Sequence, residues 1–187
     1  ARRSADARAT TAKCGRLQEG LRYGASPDAS LDLLAPQTGN PAPVLIYVHG
    51  GFWQQLSRRE SAFAGAGVVT HGGALAAIGY TLAPRASLTQ IVGEVREAVR
   101  FLRDRADDLG LDRNRFVIAG SSAGAHLAAM ALAAGDDALS EDALCGACLV
   151  SGVFDLSAVR RSYVNDAVHI TDDEEANLSP ARLARAV

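Results

Sequence analysis

The 187-residue sequence predicts an α/β fold with a mostly parallel sheet and helices on both faces. Three observations carry this expectation. Short apolar runs alternate with helix-period segments at the spacing of right-handed crossovers, the pattern that folds into a parallel sheet wrapped by helices. Two of those runs break into glycine motifs at their carboxyl ends, where open α/β sheets bind ligands. With 48% hydrophobic residues, 21% charged residues and a net charge of −2, the composition suits one domain with a sizeable core.

Taken in order, the first ~20 residues are rich in Arg and Ala with little periodicity, so residues 1–22 read as a mobile arm or a peripheral helix. Tyr23 to Pro27 opens a loop. Leu31-Asp32-Leu33-Leu34 alternates and stops at Pro36, as an outer strand would, and Gln37 to Pro43 is a cluster of turn residues. Val44 to Val48 is a buried strand. Ser57 to Thr70 reads as a helix with Ser57 as N-cap and Glu60 closing a capping box. Ala74 to Tyr80 is a second apolar strand. Ile91, Val92, Val95, Val99 and Leu102 then make a helical stripe within Leu88–Leu109, whose other face is charged. Arg115 to Ala119 is a strand, followed by an Ala-rich helix to about Ala134 and a last strand over Leu144 to Val150.

Several function classes fall away on composition. The 19 basic residues, all Arg but one, lie among acids, as in Arg103-Asp104-Arg105, and read as solvated helix faces, not as a nucleic-acid surface. No segment reaches the ~18 apolar residues of a membrane span and no signal-peptide core is visible, so the cytoplasm is the expected compartment. Cys14, Cys145 and Cys148 make no disulfide framework. Cys145-Gly146-Ala147-Cys148 has knuckle spacing without the second pair that zinc needs, and buried thiols are expected. No phosphate loop, dinucleotide fingerprint or metal-ligand cluster implies a cofactor.

The most informative stretch is Gly120-Ser121-Ser122-Ala123-Gly124, placed between an apolar strand and a helix. A turn this tight needs glycines for close packing and leaves Ser122 strained, with its hydroxyl exposed at a helix N-terminus. There the Ala123 N–H points to where a carbonyl oxygen would become an oxyanion. Upstream, His49-Gly50-Gly51-Phe52-Trp53 follows a strand in the same way. The N–H groups of Gly50 and Gly51 can complete an oxyanion hole.

From Tyr23 onward the chain resembles the α/β-hydrolase family, and within it the arylformamidase (kynurenine formamidase) and related carboxylesterase group. The resemblance rests on Leu31-Asp32-Leu33, His49-Gly50-Gly51-Phe52-Trp53-Gln54, Tyr80-Thr81-Leu82-Ala83-Pro84, Gly120-Ser121-Ser122-Ala123-Gly124-Ala125-His126-Leu127, Ser151-Gly152-Val153-Phe154-Asp155-Leu156, Tyr163-Val164-Asn165-Asp166 and Asn177-Leu178-Ser179-Pro180. It implies a Ser122 nucleophile, oxyanion N–H groups from Gly50, Gly51 and Ala123, and a cap-like segment over residues 153–187. Phe52 can add to the oxyanion hole that the resemblance implies. Phe52, Trp53 and Tyr163 become candidate substrate-binding residues, with Trp53 equally readable as a core aromatic. Hormone-sensitive-lipase-like esterases usually carry another Gly where Phe52 stands. Ser121 replaces the His common in the formamidase elbow.

A serine hydrolase of this fold also needs an Asp and a His after the nucleophile. None of the four histidines suits the role. His49 belongs to the oxyanion loop, His71 resembles a helix C-terminus, His126 should be buried beside the sheet, and His169 lies in a polar stretch without a strand to fix it. The expectation is therefore the N-terminal portion of a hydrolase domain over 23–187, with Asp and His supplied by sequence beyond it or by a complementing C-terminal chain. The resemblance thus implies a serine hydrolase of a small aryl formamide or ester, with two alternatives: a carboxylesterase of the hormone-sensitive-lipase-like type, or a catalytically silent scaffold that keeps the elbow without a base.

Overall fold

The computed structural model describes residues 9, 15–37, 39–133, 138–140 and 142–183. Six strands form one sheet in the order β1-β2-β4-β3-β5-β6. They are β1 (Gly15–Arg22), β2 (Ser30–Pro36), β3 (Ala42–Val48), β4 (Ala74–Ile78), β5 (Leu111–Ser121) and β6 (Gly146–Val150). The β4–β3, β3–β5 and β5–β6 pairs are parallel, while β1–β2 and β2–β4 are antiparallel, so the mostly parallel sheet is found with an antiparallel margin.

That margin corrects two expectations. Residues 15–22 are a strand, not an arm or helix, and β2 is therefore interior, not outer. Leu31 and Leu33 enter the larger core cluster and Leu34 the smaller one, on opposite faces as the twofold alternation of a strand requires. Strand β1 escaped notice because Arg16, Gln18, Glu19 and Arg22 dominate it. It holds its place by pairing with β2 and by the Gly20 N–H, which donates to Asp32 at 2.8 Å across a register shift.

Helices cover both faces. On the smaller-core side a 3₁₀ turn (Glu60–Ala64) leads into α1 (Gly65–Thr70), which packs Val69 against Leu34 and Leu75. The capping box expected at Ser57 does not form. The Ser57 hydroxyl donates to the Glu60 carboxylate at 2.6 Å, and Arg59 holds the cap position with helical dihedrals. On the other face α2 (Leu88–Asp104) buries Leu88, Ile91, Val92, Val95, Val99 and Leu102, and here a capping box does close, between Ser87 and Gln90. A further turn, α3 (Ala106–Leu109), ends at Gly110 with φ +68°, the left-handed stop that glycine supplies. Helix α4 (Ala123–Leu132) lies on the same face and is buried along most of its length.

Residues 153–183 carry four short helical turns, α5 (Ser157–Arg160), α6 (Asn165–Val168), α7 (Asp172–Asn177) and α8 (Pro180–Leu183). Leu156, Val164, Val168, Ile170 and Leu178 join the main core, so the segment is packed rather than draped. Glu174 ties it to the start of α2 by accepting from the Thr89 N–H and hydroxyl, both at 2.9 Å. Arg160 and Arg182 bracket Glu175 at 3.1 and 2.7 Å.

Among the described residues no helix is long and apolar enough to cross a membrane. The buried thiols expected from the sequence are not found: Cys145 and Cys148 are exposed at the β6 margin, where no described strand pairs beyond them, and Cys14 lies outside the described residues.

Candidate active site

Two adjacent strands deliver the site. Strands β3 and β5 run parallel with Val48 in register with Gly120, so the loops leaving their carboxyl ends emerge side by side. The β5 loop is a single residue. Ser122 sits at φ +55°, ψ −121°, outside the conformations an L-residue ordinarily adopts, between β5 and α4. The surroundings enforce it. The Ser122 N–H donates to the Val150 carbonyl at 2.9 Å, while its own carbonyl accepts from Ala125 and His126 at 3.0 and 3.1 Å. A Cβ on Gly124 would collide with the Val48 carbonyl oxygen, and one on Gly120 with the Gly124 carbonyl. The glycine spacing is thus a packing requirement of strand against helix.

The β3 loop closes against this turn. A Cβ on Gly50 would stand 2.7 Å from the Ser121 carbonyl oxygen and 3.3 Å from the Ser122 Cβ, which places the Gly50 backbone directly against the serine. Gly51, Phe52 and Trp53 then follow at φ +98°, +51° and +59°. Three consecutive left-handed residues, two of them bearing side chains, are costly and persist only where neighbours over-determine them. The Gly51 carbonyl accepts from the Gln54 and Gln55 N–H groups at 3.0 Å each, and the Trp53 carbonyl from Ala83 at 2.8 Å. Among the described residues the N–H groups of Gly50, Gly51 and Ala123 donate to no protein acceptor.

His49 braces the loop from behind. It is buried, its Nδ1 lies 2.9 Å from the Gly50 carbonyl, and its ring stacks on Tyr80 with centroids 4.2 Å apart. The Tyr80 hydroxyl donates to the His49 carbonyl at 2.9 Å. Burial lowers the His49 pKa, so the ring is neutral, and donation to Gly50 puts its proton on Nδ1.

Other predicted residues are placed differently. Trp53, a candidate aromatic wall, is completely buried and meets His126 edge to face, which makes it a core aromatic. Phe52 is 43% exposed and Tyr163 is 81% exposed, so both present rings to solvent. Gln54 ends the motif that begins at His49, which implies no role for it. Its amide donates to the Val164 carbonyl at 3.1 Å, tying the Gly50–Gly51 loop to the 153–183 segment, and only its position next to Trp53 hinted at that. Tyr47 also went unremarked, as a strand residue. Its hydroxyl donates to Ser121 at 3.3 Å, so Ser121 faces the smaller core rather than the side of Ser122.

None of the four histidines hydrogen-bonds to the Ser122 hydroxyl. His126 is buried against Leu178, His71 caps α1 with Nδ1 2.8 Å from the Gly67 carbonyl, and His169 ends α6 in an exposed left-handed turn. Among the described residues no group of three or more His, Cys, Asp or Glu stands together as metal ligands would. A cavity of about 740 Å³ lined by Ser26, Thr81, Gln90 and Glu94 includes neither Ser122 nor the 50–53 loop.

A strained Gly-x-Ser-x-Gly turn at the end of β5 and a glycine loop at the end of β3, on a mostly parallel sheet, define an α/β-hydrolase fold. Residues 31–171 match the model of the BD-FAE family, and the chain belongs to that family. It is similar to kynurenine formamidase of Danio rerio, at 35% identity over 86% of this chain and 54% of the relative. It is also similar to esterase LipQ of Mycobacterium tuberculosis, at 37% identity over 66% of this chain and 31% of that protein. A solved structure of a proposed thioesterase from Silicibacter shares the fold with a TM-score of 0.83 and 26% identity, over 97% of this chain and 67% of that one. The chain spans about half the length of the kynurenine formamidase that it matches.

Proposed function

We propose that the protein is a hydrolase of small formamides or esters, with an aryl formamide as the favoured substrate and Ser122 as nucleophile. One observation carries the reading: Ser122 is held at φ +55° with the Gly50 backbone against its side chain. The Ser122 hydroxyl adds to the formyl or acyl carbon, and the carbonyl oxygen gains charge as the carbon becomes tetrahedral. N–H groups of Gly50, Gly51 and Ala123 stabilise that oxyanion, an interaction strongest in the transition state. Collapse expels the amine or alcohol, which takes up a proton, and water then releases the acid from the acyl-serine.

The base that accepts the serine proton and the acid that orients it come, in this reading, from outside residues 1–187, in a region corresponding to the remaining length of the relatives or in a complementing chain. Phe52 and Tyr163 contact the substrate. Preference for the formamide rests on the similarity to kynurenine formamidase, and the similarity to esterase LipQ supports an ester as second substrate. Fluorophosphonate labelling read by intact mass, beside turnover of an N-formyl aryl amine and a short-chain aryl ester, tests the proposal. Labelling and formamide turnover that both vanish in Ser122→Ala support it. A wild type that stays unlabelled and leaves both substrates untouched with the region or chain supplying Asp and His present overturns it in favour of a silent scaffold.

A further inference from the structure

His126 is unused by the chemistry above, yet it stands where three parts of the site meet. It lies in the first turn of α4, completely buried, with Nε2 2.8 Å from the Leu178 carbonyl. A carbonyl can only accept, so Nε2 carries the proton and the ring's other nitrogen is a bare acceptor turned into the interior. Trp53 meets this ring edge to face, with centroids 5.2 Å apart at 87°. Both the indole N–H and His126 Nδ1 are buried without a partner among the described residues, so the two rings are held by packing and by the outward bonds of their neighbours. Those bonds lead to one place. Leu178 and Val164 belong to the same docked segment, and Val164 receives the amide of Gln54, the residue after Trp53. The left-handed run Gly51-Phe52-Trp53 is therefore clamped from the Trp53 ring and from Gln54, both times by way of residues 153–183.

We propose that His126 is a positioning residue: through Trp53 it holds the backbone of residues 50–53 beside Ser122, and it does so with Leu178 seated on it. Docking of the 153–183 segment and assembly of the oxyanion pocket are then one event. A run of strained dihedrals relaxes when a clamp is removed. Removing His126 or Gln54 should loosen the Gly50–Gly51 loop without touching Ser122. The catalytic part of this inference rests on the functional reading above, whereas the mechanical coupling does not.

The test uses the protein together with the region or chain that supplies Asp and His, carrying His126→Leu, His126→Gln or Gln54→Leu. Glutamine can still donate an amide N–H to Leu178, and leucine cannot. Trp53 is the single tryptophan, so its emission reports the ring contact directly. Hydrogen exchange of the peptide spanning 50–56 reports the loop. The expected result is exchange about tenfold faster in His126→Leu and Gln54→Leu, the equivalent of one lost hydrogen bond, with most of it recovered in His126→Gln. Trp53 emission should shift in His126→Leu, and kcat should fall while KM holds, since the oxyanion contact is made in the transition state. Gln54, half-buried, keeps the test open if His126→Leu does not fold. Unchanged exchange in Gln54→Leu and the folded His126 variants overturns the coupling, and faster exchange with unaltered kcat overturns the positioning role. A wild type without turnover even with the source of Asp and His present defeats the functional reading and leaves exchange and emission to decide the coupling.

Discussion

Gly50 and Ser122 are in backbone-to-side-chain contact: a Cβ on the glycine would stand 3.3 Å from the serine Cβ and 2.7 Å from the preceding carbonyl oxygen. The second distance is shorter than a carbon and an oxygen tolerate, and its partner is backbone, which cannot swing aside. Gly50→Ala must push the β3 loop away from the elbow. Loss of one oxyanion donor costs about 10²–10³ in rate. The expected outcome is a fall of that order in fluorophosphonate labelling rate and in turnover, with far-UV circular dichroism retained. Labelling at the wild-type rate would show that the loop does not serve the oxyanion.

The elbow and the glycine loop were legible because both are dictated by local sterics. Where Gly120, Gly124 and Gly50 touch backbone, only glycine fits, and such a constraint is written at a single position. The apolar strands were legible for a similar reason, since burial on both faces demands continuous runs such as Val44 to Val48. Strand β1 was not, because Arg16, Gln18 and Glu19 acquire strand geometry from β2 and not from their own preferences. The fate of Trp53 was equally hidden. Whether a ring after a glycine loop faces substrate or core depends on φ at Gly51, Phe52 and Trp53, which sequence does not encode residue by residue. The capping-box signature occurs at both Ser57 and Ser87, and only the second closes, because Arg59 already continues a helical backbone.

Stability should decline on mild acidification. Desolvation by burial lowers the His126 pKa from 6.5 to about 4, only partly opposed by its bond to Leu178, and burial lowers His49 in the same direction. Between those values the unfolded chain binds a proton that the folded chain refuses, so stability is complete above about pH 6.5 and is lost as pH falls toward 4. For His126 the loss is roughly 3 kcal/mol. Urea midpoints measured from pH 7.5 to 4.5 should fall with pH, and the slope should flatten in His126→Gln. An unchanged slope in that variant would assign the acid sensitivity to other groups.

Asp32 and Arg58 pair across the sheet margin, with Arg58 Nε 3.0 Å from Asp32 Oδ1 and the carboxylate side chain 1% exposed. The same oxygen accepts from Gly20, so one buried charge joins β1, β2 and the segment entering the 3₁₀ turn. Removing a partner from a buried pair costs more than the pair contributes, because the remaining charge stays desolvated. Arg58→Met should destabilise by about 3 kcal/mol, read from chemical denaturation, whereas the double variant with Asp32→Leu should regain most of that loss. Additive losses in the two single variants and their combination would show that the pair is not coupled.

Cys145 and Cys148 are exposed at the β6 margin, although the apolar run that follows them pointed to burial. Leu149 and Val150 in the same strand are 37% and 52% exposed, and Leu132 at the end of α4 is 49% exposed. Isolated apolar side chains on a surface are ordinary, but a strand edge carrying several of them is a template for further pairing. Native alkylation with iodoacetamide, read by peptide mass, should modify both Cys145 and Cys148 when this chain is alone. If a complementing chain or further sequence adds to the sheet at β6, as the proposed source of Asp and His requires, labelling of Cys148 should fall in its presence, since that residue lies within the strand. Labelling that is complete and identical with and without such a partner would place the proposed acid and base elsewhere than beside β6.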